Sequence, residues 1–291
     1  MDISHLDYSQ IIIDTINKLL NSLFESIDNT LFELLDNIVF IDTSILKDSF
    51  FEKAFGSSYT IGIISIANAL LFGFVIYYCI KLLLSSYTGT NIEKPYNFIF
   101  KIIIFTTCIN CSHFICDFIL YINSLVCDSI REIGSTVFNV EISFNSLISQ
   151  MNSFISIDAF NLFSFEGFLR GFISINMLNL LLSYSLRYIL LKVFILLTPF
   201  SFLSLITSST SWFFKTWLRN LLSLLLLQSF VALIFLILFS FDGTFSTTFS
   251  QLMYLGTIYA LTKSNHYIRE LIGGISTDFN LNIGSLRSLL K

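Results

Sequence analysis

Thr198-Pro199-Phe200-Ser201-Phe202-Leu203 and, after a short hydroxyl-rich gap, Trp212-Phe213-Phe214-Lys215-Thr216-Trp217-Leu218-Arg219 decide how this chain is read. The stretch holds one of the two prolines and both tryptophans, with two cations set between long apolar segments. Proline removes a backbone donor and breaks a helix, which a bilayer tolerates only where other groups satisfy the freed carbonyl. Tryptophan flanked by Lys or Arg marks the level of the lipid headgroups. Pro199 to Arg219 is therefore expected to be a turning point. One helix arrives, breaks, runs along the surface and re-enters.

The composition agrees with a membrane setting. Hydrophobic residues make up 54% of the chain and charged ones 12%, with a mean hydropathy of +0.77. A soluble domain carries about 25% charge, so the chain reads as a polytopic all-α membrane protein. Met1-Asp2-Ile3-Ser4 lacks the basic region of a cleavable signal peptide, so no processing is expected. Cys79, Cys108, Cys111, Cys116 and Cys127 mostly fall inside expected spans and define no disulfide framework.

Outward from the turning point, five spans are expected. Ile61–Ile80 is uncharged and ends at Lys81, and Phe98 to about Leu125 is longer and less clean. Phe172–Leu197 contains Arg187 and Lys192, and Leu221–Phe239 is the most apolar. Gln251–Leu261 is short, either a fifth span or re-entrant. Between and around the spans lie two acidic amphipathic regions, 1–58 and 127–169. In the first, Ile12, Ile16, Leu19, Leu20, Leu23, Ile27, Leu31, Leu34, Leu35 and Val39 recur at helical spacing with charges between them. Its acids disfavour anionic lipid, so packing against protein is expected. The resulting organisation is 1–58 amphipathic, 59–126 two spans, 127–169 an amphipathic loop, 170–262 a core with the elbow at 198–219, and 263–291 a tail.

Charge sets the orientation. The connection 81–101, the elbow and the tail together carry nine bases and three acids, whereas 1–58, 127–170 and 241–250 carry sixteen acids and five bases. The positive-inside rule then puts the N-terminus outside and the C-terminus in the cytoplasm.

Several residues could carry chemistry. Cys108, Cys111 and Cys116 have a spacing that suggests a metal site at first sight, but structural zinc sites converge four ligands from loops or knuckles, and buried cysteine packs as a small hydrophobe. No metal or cofactor is expected. His113 and Asp117, at i and i+4, can share a helix face and, with Arg187, form a candidate intramembrane polar path. On a continuous second span Asp117 would lie roughly 24 Å above the cytoplasmic end and Arg187 roughly 15 Å, so a direct pair would be strained. Phosphate-binding, zinc-protease and nucleophile-elbow motifs are absent from the sequence, and no enzymatic activity is expected.

The run Leu196-Leu197-Thr198-Pro199-Phe200-Ser201-Phe202, then Thr210 to Leu222, resembles the TrbL-like family of polytopic subunits of conjugative and type IV secretion systems. In that resemblance Pro199, Phe214, Trp217 and Arg219 occupy the family's proline, aromatic, tryptophan and basic positions, and Leu271-Ile272-Gly273-Gly274-Ile275 its glycine-containing end. It extends over roughly 170–275. It implies a non-enzymatic channel or platform component in the cytoplasmic membrane that assembles with itself and with other secretion subunits, ATPases included. Such a subunit sits among membrane lipids and helps DNA or protein pass outward. The alternative reading is a stand-alone transporter or ion channel using His113, Asp117 and Arg187.

Overall fold

A computed structural model describes residues 15, 18, 29–56, 62–89, 93–154, 165–240 and 247–273. Among these residues the fold is all-α, with ten α-helices and no strand. They are α1 Asn29–Val39, α2 Ser49–Phe55, α3 Ile63–Thr88, α4 Pro95–Asn110, α5 Ser112–Val137, α6 Phe144–Phe154, α7 Phe165–Leu196, α8 Thr198–Leu203, α9 Ser211–Ser240 and α10 Thr247–Ile272. A 3-10 turn, Thr43–Lys47, joins α1 to α2. The expected amphipathic helix before Asn29, the segment 155–164 and the tail beyond Gly273 lie outside the described residues.

Among the described residues four helices are long and apolar enough to cross a membrane: α3, α5, residues 175–196 of α7, and α9. The protein is a multi-pass membrane protein. Two expected spans take a different form. Phe98–Leu125 is not one helix, because the axis breaks at Cys111, whose φ of −89° and ψ of 7° lie in the bridge region. Asn110, Cys111 and Ser112 favour such a break by offering side chains that compete for backbone partners; the Asn110 amide does so, donating to the Thr106 carbonyl at 2.8 Å. The second span is accordingly α5, which runs on through residues read from sequence as a loop. Gln251–Leu261 sits within α10, whose second half carries Lys263, His266, Arg269 and Glu270. Thr, Ser and Gln in its first half and these charges in its second leave α10 less apolar than the four helices.

The bundle is built around α9, which packs against α5, α7, α8 and α10. α9 and α10 run antiparallel, so the end of α10 returns to the start of α9, where Gly273 lies against the Arg219 side chain. α3 and α4 pack chiefly on each other and on α8, through Ala67, Phe98, Ile109, Phe202, Leu203 and Ile206.

Residues 29–55 lie in the bundle rather than beside it. Leu35 and Val39 join the core made by α6, α7, α9 and α10. Ile41, Ile45, Leu46, Phe51 and Phe55 join a second core with Cys116 and Leu120 of α5, Leu191 and Phe194 of α7, and Leu221 and Leu224 of α9. This segment is called the strap below. Three of its acids cap helix N-termini, where the dipole and free N–H groups favour a carboxylate. Asp42 accepts from the Ser44 N–H at 2.9 Å, Asp48 from Phe50 at 3.2 Å, and Asp36 from Phe144, the first residue of α6, at 2.9 Å.

Candidate functional site

Two neighbouring features hold the residues singled out in the sequence: the elbow between α7 and α9, and the strap's seat on the bundle. At the elbow, α7 ends at Leu196 and α8 follows with Pro199 in its first turn, where a missing N–H costs nothing. The chain then turns through 204–210. Hydroxyls satisfy the backbone of this turn. Ser204 Oγ donates to the Ser201 carbonyl at 2.7 Å, Thr210 Oγ1 to the Ser204 carbonyl at 2.6 Å, and Thr207 and Thr210 hydroxyls meet at 2.7 Å.

Trp217 is buried, with its Nε1–H donating to the Phe194 carbonyl at 2.8 Å. Phe194 lies in the last turn of α7, where carbonyls lack a helical partner, and Thr198 Oγ1 donates to the same oxygen at 3.3 Å. The indole therefore ties α9 to the end of α7. Phe214 lies tilted 5.5 Å from Trp217, and Phe202 lies 5.7 Å from Phe214 and 6.1 Å from Trp217, which makes a three-ring cluster beside the first turn of α8. Trp217 is thus not the headgroup marker expected from sequence. Trp212 is the exposed one, beside exposed Lys215. Nor does the chain run along a surface between turn and span, since α9 is already helical from Ser211. Thirty residues rise about 45 Å, longer than the roughly 30 Å hydrocarbon layer, so α9 reaches well beyond it or tilts. Arg219 is exposed, and its Cδ, Nε and Nη1 lie against Gly273, whose φ of +74° ends α10. A cation there faces the negative end of the α10 dipole.

The start of α5 adjoins the elbow. Cys116 Sγ and Thr198 Oγ1 are 3.0 Å apart. Asp117 thus lies in the second turn of α5, roughly 8 Å from its start, nearer the elbow than Arg187 and not farther from it. His113 packs edge-on against Phe55 of the strap, with ring centroids 5.4 Å apart. Among the described residues no hydrogen bond joins His113 to Asp117 or either to Arg187. Nor, among them, do three His, Cys, Asp or Glu side chains converge as a metal would require.

Arg187 is fully buried, with a relative exposure of 0%. Its Nε donates to the Leu224 carbonyl of α9 at 2.8 Å and its Nη1 to the Val39 carbonyl, the last of α1, at 3.0 Å. No carboxylate pairs with it among the described residues; the C-terminal dipole of α1 takes that place. One turn along α9, the Gln228 amide accepts from the Ile41 N–H at 3.1 Å and donates to the Ile41 carbonyl at 3.3 Å. Non-helical backbone at this depth is tolerated only when protein satisfies it, and Gln228 does so for both polar groups of Ile41. Two further cations face the strap. Lys192 pairs with Asp48 at 3.1 Å, and Arg131 lies 4.9 Å over the Phe40 ring. Sequence reasoning had no signal for Gln228, a single amide in an apolar run. The only hint was that such an amide needs a partner.

Burial pushes the Asp36 carboxyl above its ordinary 3.8, against the Phe144 N–H bond and the nearby Arg131, which pull it down. Asp48 is held below that value by the Phe50 N–H and by Lys192. The chain matches no protein-family model, no curated protein and no solved structure with which it was compared.

Proposed function

We propose that this multi-pass protein is a non-enzymatic subunit of a type IV secretion or conjugation machine, in the cytoplasmic membrane, with its elbow on the cytoplasmic side. The reading rests on one observation, the order Thr198-Pro199-Phe200 followed by Phe214, Trp217 and Arg219. The elbow supports it as a preformed unit. Its aromatic interior is tied to α7, while Trp212, Lys215 and Arg219 stay exposed without an acid paired to them among the described residues. An excess of Lys and Arg is the mark of a cytoplasmic face. That edge is the surface offered to other secretion subunits, including ATPases, and a second copy of the chain is among its expected partners.

Mild solubilisation followed by affinity capture should recover a multi-protein assembly with ATPase activity. Trp212→Ala with Lys215→Glu, which leaves the buried rings untouched, should reduce that recovery and substrate transfer at least about tenfold while insertion stays normal. Capture of the chain alone with transfer intact would sink the reading.

A further inference from the structure

We propose that the groove between α5, α7 and α9 is a binding site for polypeptide main chain, and that the strap is its resident ligand, docking and releasing as one unit. Beside the side-chain contacts of the strap, the polar recognition at Val39 and Ile41 is of backbone. Arg187 and Gln228 hold the Val39 carbonyl and the Ile41 N–H and carbonyl, and none of these contacts depends on the identity of a strap side chain. The floor beneath is apolar and supplied by three helices, through Leu120, Leu191, Leu221, Leu224 and Leu225.

The energetics favour release as a unit. A buried guanidinium without a counter-ion carries a desolvation cost that its carbonyl bonds offset only in part. Among the described residues Nη2 has no hydrogen-bond partner. Val39 supplies one of the two carbonyls that compensate the charge, so leaving the groove lets water replace it. The uncompensated charge on Arg187 therefore narrows the free-energy gap between a bound strap and a bare, hydrated groove, with α9 unchanged in both. Burial of Ile41, Ile45, Leu46, Phe51 and Phe55 in one cluster makes the intermediate cases, with half the strap lifted, unfavourable.

Hydrogen exchange followed by mass spectrometry on the full chain in detergent tests this. Peptides covering 35–55 should exchange with a common rate, at least about tenfold faster than peptides covering 220–235 of α9. Gln228→Leu keeps the side-chain volume and removes both bonds to Ile41. It should speed exchange of the strap block at least about tenfold and leave α9 unchanged. The native cysteines give a second readout independent of that variant. In the wild-type chain Cys116, buried in the same apolar cluster as the strap, should react with a small maleimide at the strap's opening rate, while exposed Cys111 reacts at once. Exchange of strap and α9 at one rate, or equal acceleration of both by Gln228→Leu, would overturn the proposal. So would Cys116 labelling only at the rate of global unfolding.

Discussion

α3 and α9 read alike in sequence, as clean apolar spans, yet they hold opposite places in the fold. The most apolar stretch of α9 is 61% buried inside the protein, and that of α3 is 6% buried, with Phe72 and Leu83 facing outward. Apolarity does not separate them, because lipid is as apolar as leucine. What separates them is how many polar residues each buries: Ser65 and Asn68 of α3 are not buried, and Asn68 Nδ2 donates to Asn110 Oδ1 at 3.1 Å. α9 carries Asn220, Ser223, Gln228 and Ser229, all buried, and each of these is costly in hydrocarbon unless protein surrounds it. In α3 no face is distinguished from another by its apolar content, and among its described residues only Ala67 is buried. In a membrane bundle the central helix is recognised by its few polar side chains.

The largest test of that contrast sets Phe235 of α9 against Phe72 of α3. Phe235→Ala empties a fully buried site and should destabilise the protein by about 3–5 kcal/mol, read from the denaturant midpoint in a fixed detergent. Phe72→Ala, at an outward position, should cost under about 0.5 kcal/mol. Similar losses at both sites would mean that α3 is covered by protein. A smaller effect is expected within the elbow. Trp217→Phe keeps a ring in the aromatic cluster but removes the donor to Phe194, for a loss of about 1–2 kcal/mol. Trp212→Phe should change stability by less than about 0.5 kcal/mol.

The smallest effects come from pH, and the two strap carboxylates should act in opposite senses. Asp48 is held below 3.8, so its contribution is present above that pH and is lost as pH falls through its folded value. Asp48→Asn should abolish that acid-side loss. Asp36 is raised by burial, so its contribution is full below 3.8 and fades as pH rises through its folded value. Asp36→Asn, which retains an acceptor for the Phe144 N–H, should raise the melting temperature slightly at pH 7 and not at pH 3. Melting curves of both variants from pH 3 to 7 check this. Parallel shifts in the two would contradict the assigned causes.

The all-α class and the spans at Ile61, Phe172 and Leu221 were legible because a bilayer demands long apolar runs. The place of the elbow was legible too, since Pro199 and the hydroxyl-rich turn punctuate two such runs. Its interior was not. Both tryptophans sit beside cations, and only the helical phase of α9 decides that Trp217 turns inward and Trp212 outward. Arg187 and Lys192 stood out as charges within a span, but Lys192 pairs 144 residues away, and Arg187 binds carbonyls 37 and 148 residues away that no sequence pattern marks. The break at Cys111 was missed because Asn110, Ser112 and His113 were read as polar residues within one span and not as a helix end. It moved His113 and Asp117 to the elbow end of α5 and Arg187 to the strap, which separates the three residues that sequence had grouped.

The bond between Ile41 and Gln228 spans 187 residues. At about 5–20 residues per second of synthesis, Gln228 leaves the ribosome roughly 10–40 s after Ile41. During that interval the strap has neither its amide partner nor the Leu224 floor. Its acids and apolar side chains wait outside a groove whose third wall has not been made. The N-terminal segment is therefore among the first described parts of the chain to be synthesised and among the last to reach its place, and the loop it closes is what makes the late step slow.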